Sequence, residues 1–207
     1  MKLYQLAIIR PCDLDLPEQS RQKTLILASQ SDLSSYSFFQ RGSVGEFINF
    51  FSTTVAERAK VGQAMVVTQN EHVAHVLRSA KSLCVVAVTD LEYPPMVARS
   101  LIGKITNEFG QKFSSQMVDD ASSKDELSLD SLSDYIVKYQ DPKQADNIMK
   151  MQVELDQTKA VMHQTIESLL ERNEKLDSLV DKSNDLSMQS KAFYKTAKQT
   201  NSCCIVM

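Results

Sequence analysis

Apolar and polar positions alternate through the first half of the chain. The runs KLYQLAIIR and QKTLILAS have the period and the β-branched content of strands, as do QAMVVTQ, HVAHVLR and SLCVVAVTD further on. A helical period places one helix at residues 43–60, and the proline pair of EYPP starts a second that continues through MVARSLIGKITNEF. The order β-β-α-β-β-β-α predicts a single α+β domain over residues 1–113 with a largely antiparallel sheet.

The first helix carries an apolar stripe and one aromatic residue outside it. Ser43 is a candidate N-cap, with Glu46 three residues later completing a capping-box pattern. Phe50 lies about 120° from the centre of the apolar stripe, at 100° per residue. It is either a partly exposed aromatic residue, which is common, or part of a docking surface for another chain segment or a lipid. The stripe consists of Val44, Phe47, Ile48, Phe51 and Val55.

A change in charge separates this domain from the rest of the chain. Residues 114–141 contain seven acidic and two basic residues and are rich in serine, whereas the flanking regions are close to neutral. This composition predicts an acidic linker, with a short helix at residues 132–139.

The last third of the chain has a period of 3.5 residues. Pro142 fits a first helical position after Asp141, and no further proline or glycine occurs up to Gln199. The pattern predicts an unbroken helix of nearly 60 residues, roughly 85–90 Å long, which is too long to pack on the domain before it. Its seam contains Thr and Ser, which suits a bundle with partner helices; alone, we expect the segment to be mostly disordered. The seam positions are Ile148, Met151, Leu155, Thr158, Met162, Thr165, Leu169, Arg172, Leu176, Leu179, Ser183, Leu186, Ser190, Phe193, Ala197 and Thr200.

Arg172 is a charged residue in the middle of this seam, between Leu169 and Leu176. A charge in a coiled-coil core is costly unless partner helices supply hydrogen-bond acceptors, and such a residue then sets the register. The alternative is an arginine at the seam edge that extends its guanidinium into water.

Residues 142–200, with LLER, KLDSLV and the Phe193–Ala197 spacing, resemble the SNARE motif of the synaptobrevin-like R-SNAREs. The resemblance implies a parallel four-helix bundle in which Arg172 meets three glutamines from Q-SNARE helices. Leu169, Leu176 and Leu179 would form flanking layers. The preceding α+β region resembles the longin (profilin-like) domain found at the start of one branch of this family. The Pro-rich loop at residues 11–21 and the acidic linker depart from the compact family pattern.

The chain finishes with CCIVM. Cys204-Ile205-Val206-Met207 is a C-a-a-X box whose final Met favours farnesylation, and Cys203 is a candidate for palmitoylation or a second prenyl group. One lipid gives reversible membrane binding and two give a stable anchor. No stretch approaches the roughly 20 apolar residues of a membrane span, so residues 201–207 are predicted to be a lipidated tail. Lys191, Lys195 and Lys198 form a weak basic collar before it, which could equally complement the helix C-terminus.

Together these features resemble the prenylated longin R-SNAREs, which lack a membrane-spanning segment. The resemblance implies a role in vesicle fusion, cycling between the cytosol and the cytoplasmic face of Golgi, vesicle, endosomal and vacuolar or lysosomal membranes. It also implies that the longin domain folds back on the SNARE motif and buries the prenyl group, with Phe47 and Phe50 as candidate contacts. The partners are then Q-SNARE helices, a bilayer and the chain's own SNARE motif. A lipid-anchored coiled-coil tether or adaptor is the alternative.

Other functional classes find little support in the sequence. There is no GxxxxGK[ST] loop, which excludes a prenylated small GTPase, and no nucleophile–base arrangement that would predict an enzyme. His72, His75 and His163 lack metal-site spacing, so we expect neither a metal nor a cofactor. A net charge of −3 does not favour nucleic-acid binding, and four cysteines in 207 residues indicate a reducing compartment.

Overall fold

The fold is described from a computed structural model over residues 1–12, 22–80, 83–141, 161–170 and 174–202. The predicted order of the N-terminal elements is confirmed. The strands are β1 (Leu3–Arg10), β2 (Leu25–Ser31), β3 (Ala64–Gln69), β4 (His72–Ala80), β5 (Leu83–Asp90) and β6 (Val161–Thr165). The helices are α1 (Phe38–Arg58), α2 (Pro95–Lys112), α3 (Ser115–Asp120), α4 (Ser131–Lys138), α5 (Ile166–Leu169), α6 (Leu176–Lys182) and α7 (Met188–Ser202).

One six-stranded sheet organises the molecule, with strand order β2-β1-β5-β4-β3-β6. The first five strands pair antiparallel, as predicted. The sixth pairs parallel with β3 and comes from the C-terminal third of the chain, where no strand was predicted. This extra strand covers the β3 edge, whose backbone groups would otherwise be unpaired.

The sheet is covered on both faces because its strands bury side chains on both sides. Helix α1 lies on one face, where the whole predicted stripe from Val44 to Val55 is buried. Helix α2 lies on the other face and buries Leu101, Ile105 and Phe109 against β1 and β5. The alternation within β1 divides its residues between the two cores: Ala7 and Ile9 face α1, whereas Leu6 and Ile8 face α2.

The start of α1 differs from the prediction. The helix begins at Phe38 after Ser37, so Ser43 is a buried residue inside it and not an N-cap. Glu46 therefore does not cap α1, and its carboxylate bonds to residues of the C-terminal third of the chain, described below. Helix α2 starts where predicted, with Pro94 and Pro95 at its first turn.

The acidic segment is packed against the domain and does not hang free as a linker. The predicted short helix is present as α4, and Leu132, Ile136 and Tyr139 are buried in the α2-side core. Residues 125 and 127 donate backbone hydrogen bonds to Ile26 and Leu27, which covers the outer edge of β2. Its negative charge made the segment resemble a linker, but its widely spaced apolar residues are enough to anchor it.

The predicted unbroken helix is not the conformation of the described C-terminal residues. They form β6 and three separate helices that wrap around the domain. A long isolated helix with a polar seam buries little surface, whereas this arrangement places its apolar side chains in the α1-side core. Among the described residues, no helix has the length and apolar character needed to cross a membrane.

Candidate functional site

The contact between α1 and the C-terminal residues 161–170 and 174–202, here called the C-terminal segment, is the candidate functional site. The segment first adds β6 to the sheet, pairing Ala64 with Val161 through Thr68 with Thr165. Thr165 then caps α5, in a capping box with Ser168. These local features fix the direction in which the chain leaves the sheet edge and turns over α1.

Helix α5 supplies the first apolar anchor. Ile166 is fully buried, and Leu170, just after the helix, is 7% exposed; both belong to the core under α1. The two positions are four residues apart and so lie on one helical face. Burial of two such side chains stabilises the contact by about 3–6 kcal/mol relative to a fully exposed segment, before the entropy of ordering is counted.

Helices α6 and α7 form an antiparallel pair held by charged groups. Asp177 accepts hydrogen bonds from the Tyr194 hydroxyl at 3.0 Å and from Lys198 Nζ at 2.6 Å. One turn further along α6, Asp181 pairs with Lys195 Nζ at 2.8 Å. The lysine contact, followed by the Tyr194 hydrogen bond, lowers the pKa of Asp177, which therefore stays ionised at neutral pH.

Glu46 joins α1 to the beginning of α7. Its Oε2 accepts the Ser187 backbone N–H at 2.8 Å and the Ser190 hydroxyl at 2.6 Å. The Ser190 hydroxyl and the Ser187 N–H are the main causes that lower the pKa of Glu46. A carboxylate at the first turn of a helix also interacts favourably with the helix dipole. Glu46 therefore acts as a cap for α7, supplied from another part of the chain.

Phe47 is the aromatic centre of the contact. Its ring stacks on Tyr194 with centroids 5.3 Å apart and an interplanar angle of 24°, and lies parallel to Phe51 at 6.3 Å. Both Phe47 and Tyr194 are at least nine-tenths buried. Burial, followed by the hydrogen bond to Asp177, raises the pKa of Tyr194, so its hydroxyl remains a donor.

Phe50 occupies the border of the same contact. It is half-buried and packs on the α1-side core, which includes the C-terminal residues. It also lines a cavity of about 480 Å³ that reaches from Thr53 on α1 to Asp185 in the turn between α6 and α7. At the C-terminal end of α1, Arg58 pairs with Glu174 at 2.9 Å, so the segment is tied to α1 at Arg58 as well as at Glu46.

The residues that bury the segment are only partly those of the predicted seam. Leu176, Leu186 and Ser190 belong to the seam and are buried here, while Leu169, Leu179 and Phe193 are half-buried. Four other buried residues lie outside the seam: Ile166, Leu170, Val180 and Tyr194. Ile166 and Leu170 are four residues apart, and Val180 and Tyr194 each follow a buried seam residue, Leu176 and Ser190, by four. This spacing was present in the sequence but was masked by the stronger heptad pattern.

The remaining predicted site residues are placed as follows. Arg172, Cys203 and Cys204 lie outside the described residues. His72 and His75 lie on β4, in the strand predicted from HVAHVLR, and His163 lies on β6. Burial lowers the pKa of His75 to about 4, so it is neutral at physiological pH. In the parts of the chain that the structure describes, no group of His, Cys, Asp and Glu could hold a metal ion.

Comparison with known proteins gives two family matches in chain order. Residues 33–136 match the regulated-SNARE-like longin domain, and residues 147–205 match synaptobrevin. The chain is 49% identical over 206 residues to the Schizosaccharomyces pombe protein named synaptobrevin homolog ykt6, with both chains fully covered. It is 46% and 44% identical, over 208 residues each, to the proteins named synaptobrevin homolog YKT6 from Eremothecium gossypii and Saccharomyces cerevisiae, again with full coverage of both chains.

Proposed function

Since the chain belongs to the family of longin-domain synaptobrevin homologues, a non-enzymatic class of trafficking proteins, we propose that it is an R-SNARE that drives vesicle fusion and is restrained by its own longin domain. The observation that carries the proposal is the double use of the C-terminal segment. The segment that matches synaptobrevin is the one that packs on α1.

The two uses exclude each other. Leu176, Leu186 and Ser190 are seam positions that would face partner helices in a bundle, yet here they are buried under the domain. A continuous helix also cannot keep β6 paired with β3, because strand and helix have different backbone dihedrals. Bundle formation therefore requires the segment to leave α1, and the contact at Glu46 and Phe47 opposes that step.

In the open form, in which the C-terminal segment has left α1, the bundle would assemble from the N-terminal end of residues 142–200 toward the lipidated tail. Arg172 would meet three glutamines from Q-SNARE helices, sealed from water by the Leu169, Leu176 and Leu179 layers. Burying this charge with acceptors sets the register, and burying it without them is costly. Zippering would pull the two membranes together.

Lipids at Cys204 and Cys203 would attach the open form to the bilayer. One prenyl chain allows return to the cytosol, and acylation of the second cysteine would make attachment stable. We propose that the protein moves between the cytosol and the cytoplasmic face of Golgi, vesicle, endosomal and vacuolar or lysosomal membranes. Transport between the endoplasmic reticulum and the Golgi is part of the same proposal.

Arg172→Gln tests the fusion role. In liposomes carrying the lipidated chain opposite cognate Q-SNAREs, we expect fusion to slow at least tenfold, because the central layer loses its charge-assisted hydrogen bonds. Changing one partner glutamine to arginine should restore it. As a matched control, Lys175→Gln removes a charge outside the seam and should leave fusion unchanged.

Two results would count against the proposal. Normal fusion by the Arg172→Gln variant would remove the central-layer assignment. Failure of the wild-type segment to form an SDS-resistant four-helix complex with Q-SNARE helices would favour a non-fusogenic tether instead.

A further inference from the structure

The cavity that Phe50 borders extends from α1 to the start of β2 and to the acidic segment. Its volume of about 480 Å³ falls within the range of roughly 300–1,000 Å³ typical of ligand sites. Among its described lining residues, Asp185 alone comes from the C-terminal segment. The cavity is therefore built almost entirely by residues that do not take part in the proposed bundle.

Arg10 is a buried cation in the lining of this cavity, and it is 8% exposed. Its Nη1 donates to three backbone carbonyls around the end of α3 at 2.7 to 2.9 Å, those of Val118, Asp119 and Ala121. These acceptors carry no net charge, and Nε has no hydrogen-bond partner in the part of the chain that the structure describes. A buried guanidinium that lacks a counter-ion favours the approach of an anion.

Two lysines add to this positive charge. Lys124 lines the cavity from the acidic segment, is exposed, and has no hydrogen bond or ion pair with another described residue. Lys23 lines it from the start of β2 and pairs with Asp185 at 3.7 Å, a long distance for an ion pair. Both side chains of that pair are largely exposed, so the pair contributes little to stability.

Two carboxylates also line the cavity, Glu46 and Asp185. Glu46 is already hydrogen-bonded to Ser187 and Ser190. With Arg10 and the two lysines, the described lining has three positive and two negative charges while the segment is packed on α1. In the open form Asp185 is gone, and the balance rises from +1 to +2. An anion is therefore attracted in both forms, and more strongly in the open one.

We propose that this cavity binds a phosphorylated inositol ring, and that the bound anion favours release of the C-terminal segment. Cations from three separate parts of the chain suit a ligand with several phosphates, which they bind through charge-assisted hydrogen bonds. Asn49 and Thr53 of α1 add polar groups for the ring hydroxyls. Because the anion and Asp185 compete for Lys23, binding and release favour each other to the same extent. The same ring occurs in soluble inositol phosphates and in phosphoinositide headgroups.

Inositol trisphosphate is the soluble probe, added to the full, unlipidated chain. Calorimetry should show saturable binding of one molecule per chain, and inositol without phosphates should not bind. Lys124→Gln should weaken binding about fivefold, because one charged donor is lost. Lys138→Gln, an exposed lysine on α4 outside the cavity, is the matched control and should bind as the wild type does. Equal affinity in the two variants, or no saturable binding to the wild type, would overturn the proposal.

Asp185 tests the coupling between the anion and the segment. Asp185→Asn removes the competing carboxylate and should tighten binding about threefold, whereas Asp134→Asn, which changes an exposed carboxylate on α4, should not. In the wild type, saturating inositol trisphosphate should speed hydrogen exchange in residues 174–182 and leave residues 131–138 unchanged. Unchanged affinity in the Asp185 variant, or slower exchange of residues 174–182 at saturation, would overturn the coupling.

Vesicles distinguish the two sources of the ring. Phosphatidylcholine vesicles that contain phosphatidylinositol bisphosphate are compared with vesicles brought to the same charge with phosphatidylserine. Stronger recruitment of the wild type by the first kind, lost in Lys124→Gln, assigns the site to a lipid headgroup. Equal recruitment by both kinds, with saturable binding of the soluble probe, assigns it to a free inositol phosphate. The consequence for fusion rests on the proposed function, but binding needs no Q-SNARE helix, so the Arg172→Gln fusion assay can fail or succeed independently.

Discussion

Glu46 and Ser190 are hydrogen-bonded at 2.6 Å although 144 residues separate them along the chain. The same carboxylate oxygen accepts the Ser187 backbone N–H, so a single side chain of the longin domain satisfies two donors at the start of α7. This relationship links the ionisation of Glu46 to the position of the C-terminal segment.

Acid should therefore weaken the closed form, in which the C-terminal segment packs on α1. The pKa of Glu46 is lowered in this form, so the stabilisation is fully present above the ordinary glutamate pKa of about 4.3 and is lost as the pH falls through the lowered value. Glu46→Gln should make the closed form less stable by about 1–2 kcal/mol at pH 7 and remove this part of the pH dependence. Hydrogen exchange of residues 187–194, corrected for the intrinsic rate, measures this loss of stability. Glu108→Gln, whose partners Ser131 and Tyr135 lie on the α2 side, is the control. The same pH dependence in the Glu46→Gln variant as in the wild type would contradict the link.

Tyr194 should separate closure from bundle formation. It is buried against Phe47 but is not a seam residue. Tyr194→Ala should therefore destabilise the closed form by about 3 kcal/mol and leave assembly with Q-SNARE helices unimpaired or faster. Tyr194→Phe retains the stacking and loses only the hydrogen bond to Asp177, so it should have a smaller effect. The adjacent seam variant Phe193→Ala should instead weaken the bundle. Assembly rates and exchange of residues 161–170 distinguish the outcomes, and equal loss of assembly in the Tyr194 and Phe193 variants would contradict this division.

Phe50 should influence membrane distribution. Phe50→Glu places a charge at the half-buried border between α1 and the C-terminal segment, so it should release the segment and move the protein from cytosol to membranes. Phe39→Glu is a matched control on the same helix, since Phe39 is 86% exposed. Cell fractionation and hydrogen exchange of residues 174–202 measure the effect. Unchanged fractionation and unchanged exchange in the Phe50→Glu variant would remove Phe50 from the proposed autoinhibitory contact.

Cys204→Ser should leave the protein cytosolic and inactive in fusion, because the first lipid cannot be attached. Cys203→Ser should still bind membranes, but reversibly, since one lipid chain gives only marginal affinity. Mass spectrometry of the purified C-terminus provides the direct measurement, with Cys12→Ser as a control far from the tail in sequence. An intact, unmodified C-terminus in the membrane fraction would reject the lipid anchor.

Most of the longin domain could be predicted because its signals are local. The alternation in β1 and the apolar stripe around Phe47 each report burial on a given face, and both were confirmed. The acidic segment was harder to interpret, since its anchoring residues, such as Leu132 and Ile136, are separated by polar ones. Only their contact with the α2-side core shows that it is packed.

By itself, the sequence determined the element order of the longin domain, and it predicts a heptad seam with Arg172 and a C-a-a-X motif. Periodicity and short motifs carry this information without reference to distant residues. Only the tertiary structure decided how the seam segment behaves beside its own domain. Val161–Thr165 has enough strand character to pair with β3, and Ile166 and Tyr194 find apolar surface on α1 that a lone helix lacks. In the proposed function, the same sequence would form a helix with partner helices, and the strand-and-helix arrangement forms because α1 and the β3 edge are available to bury it.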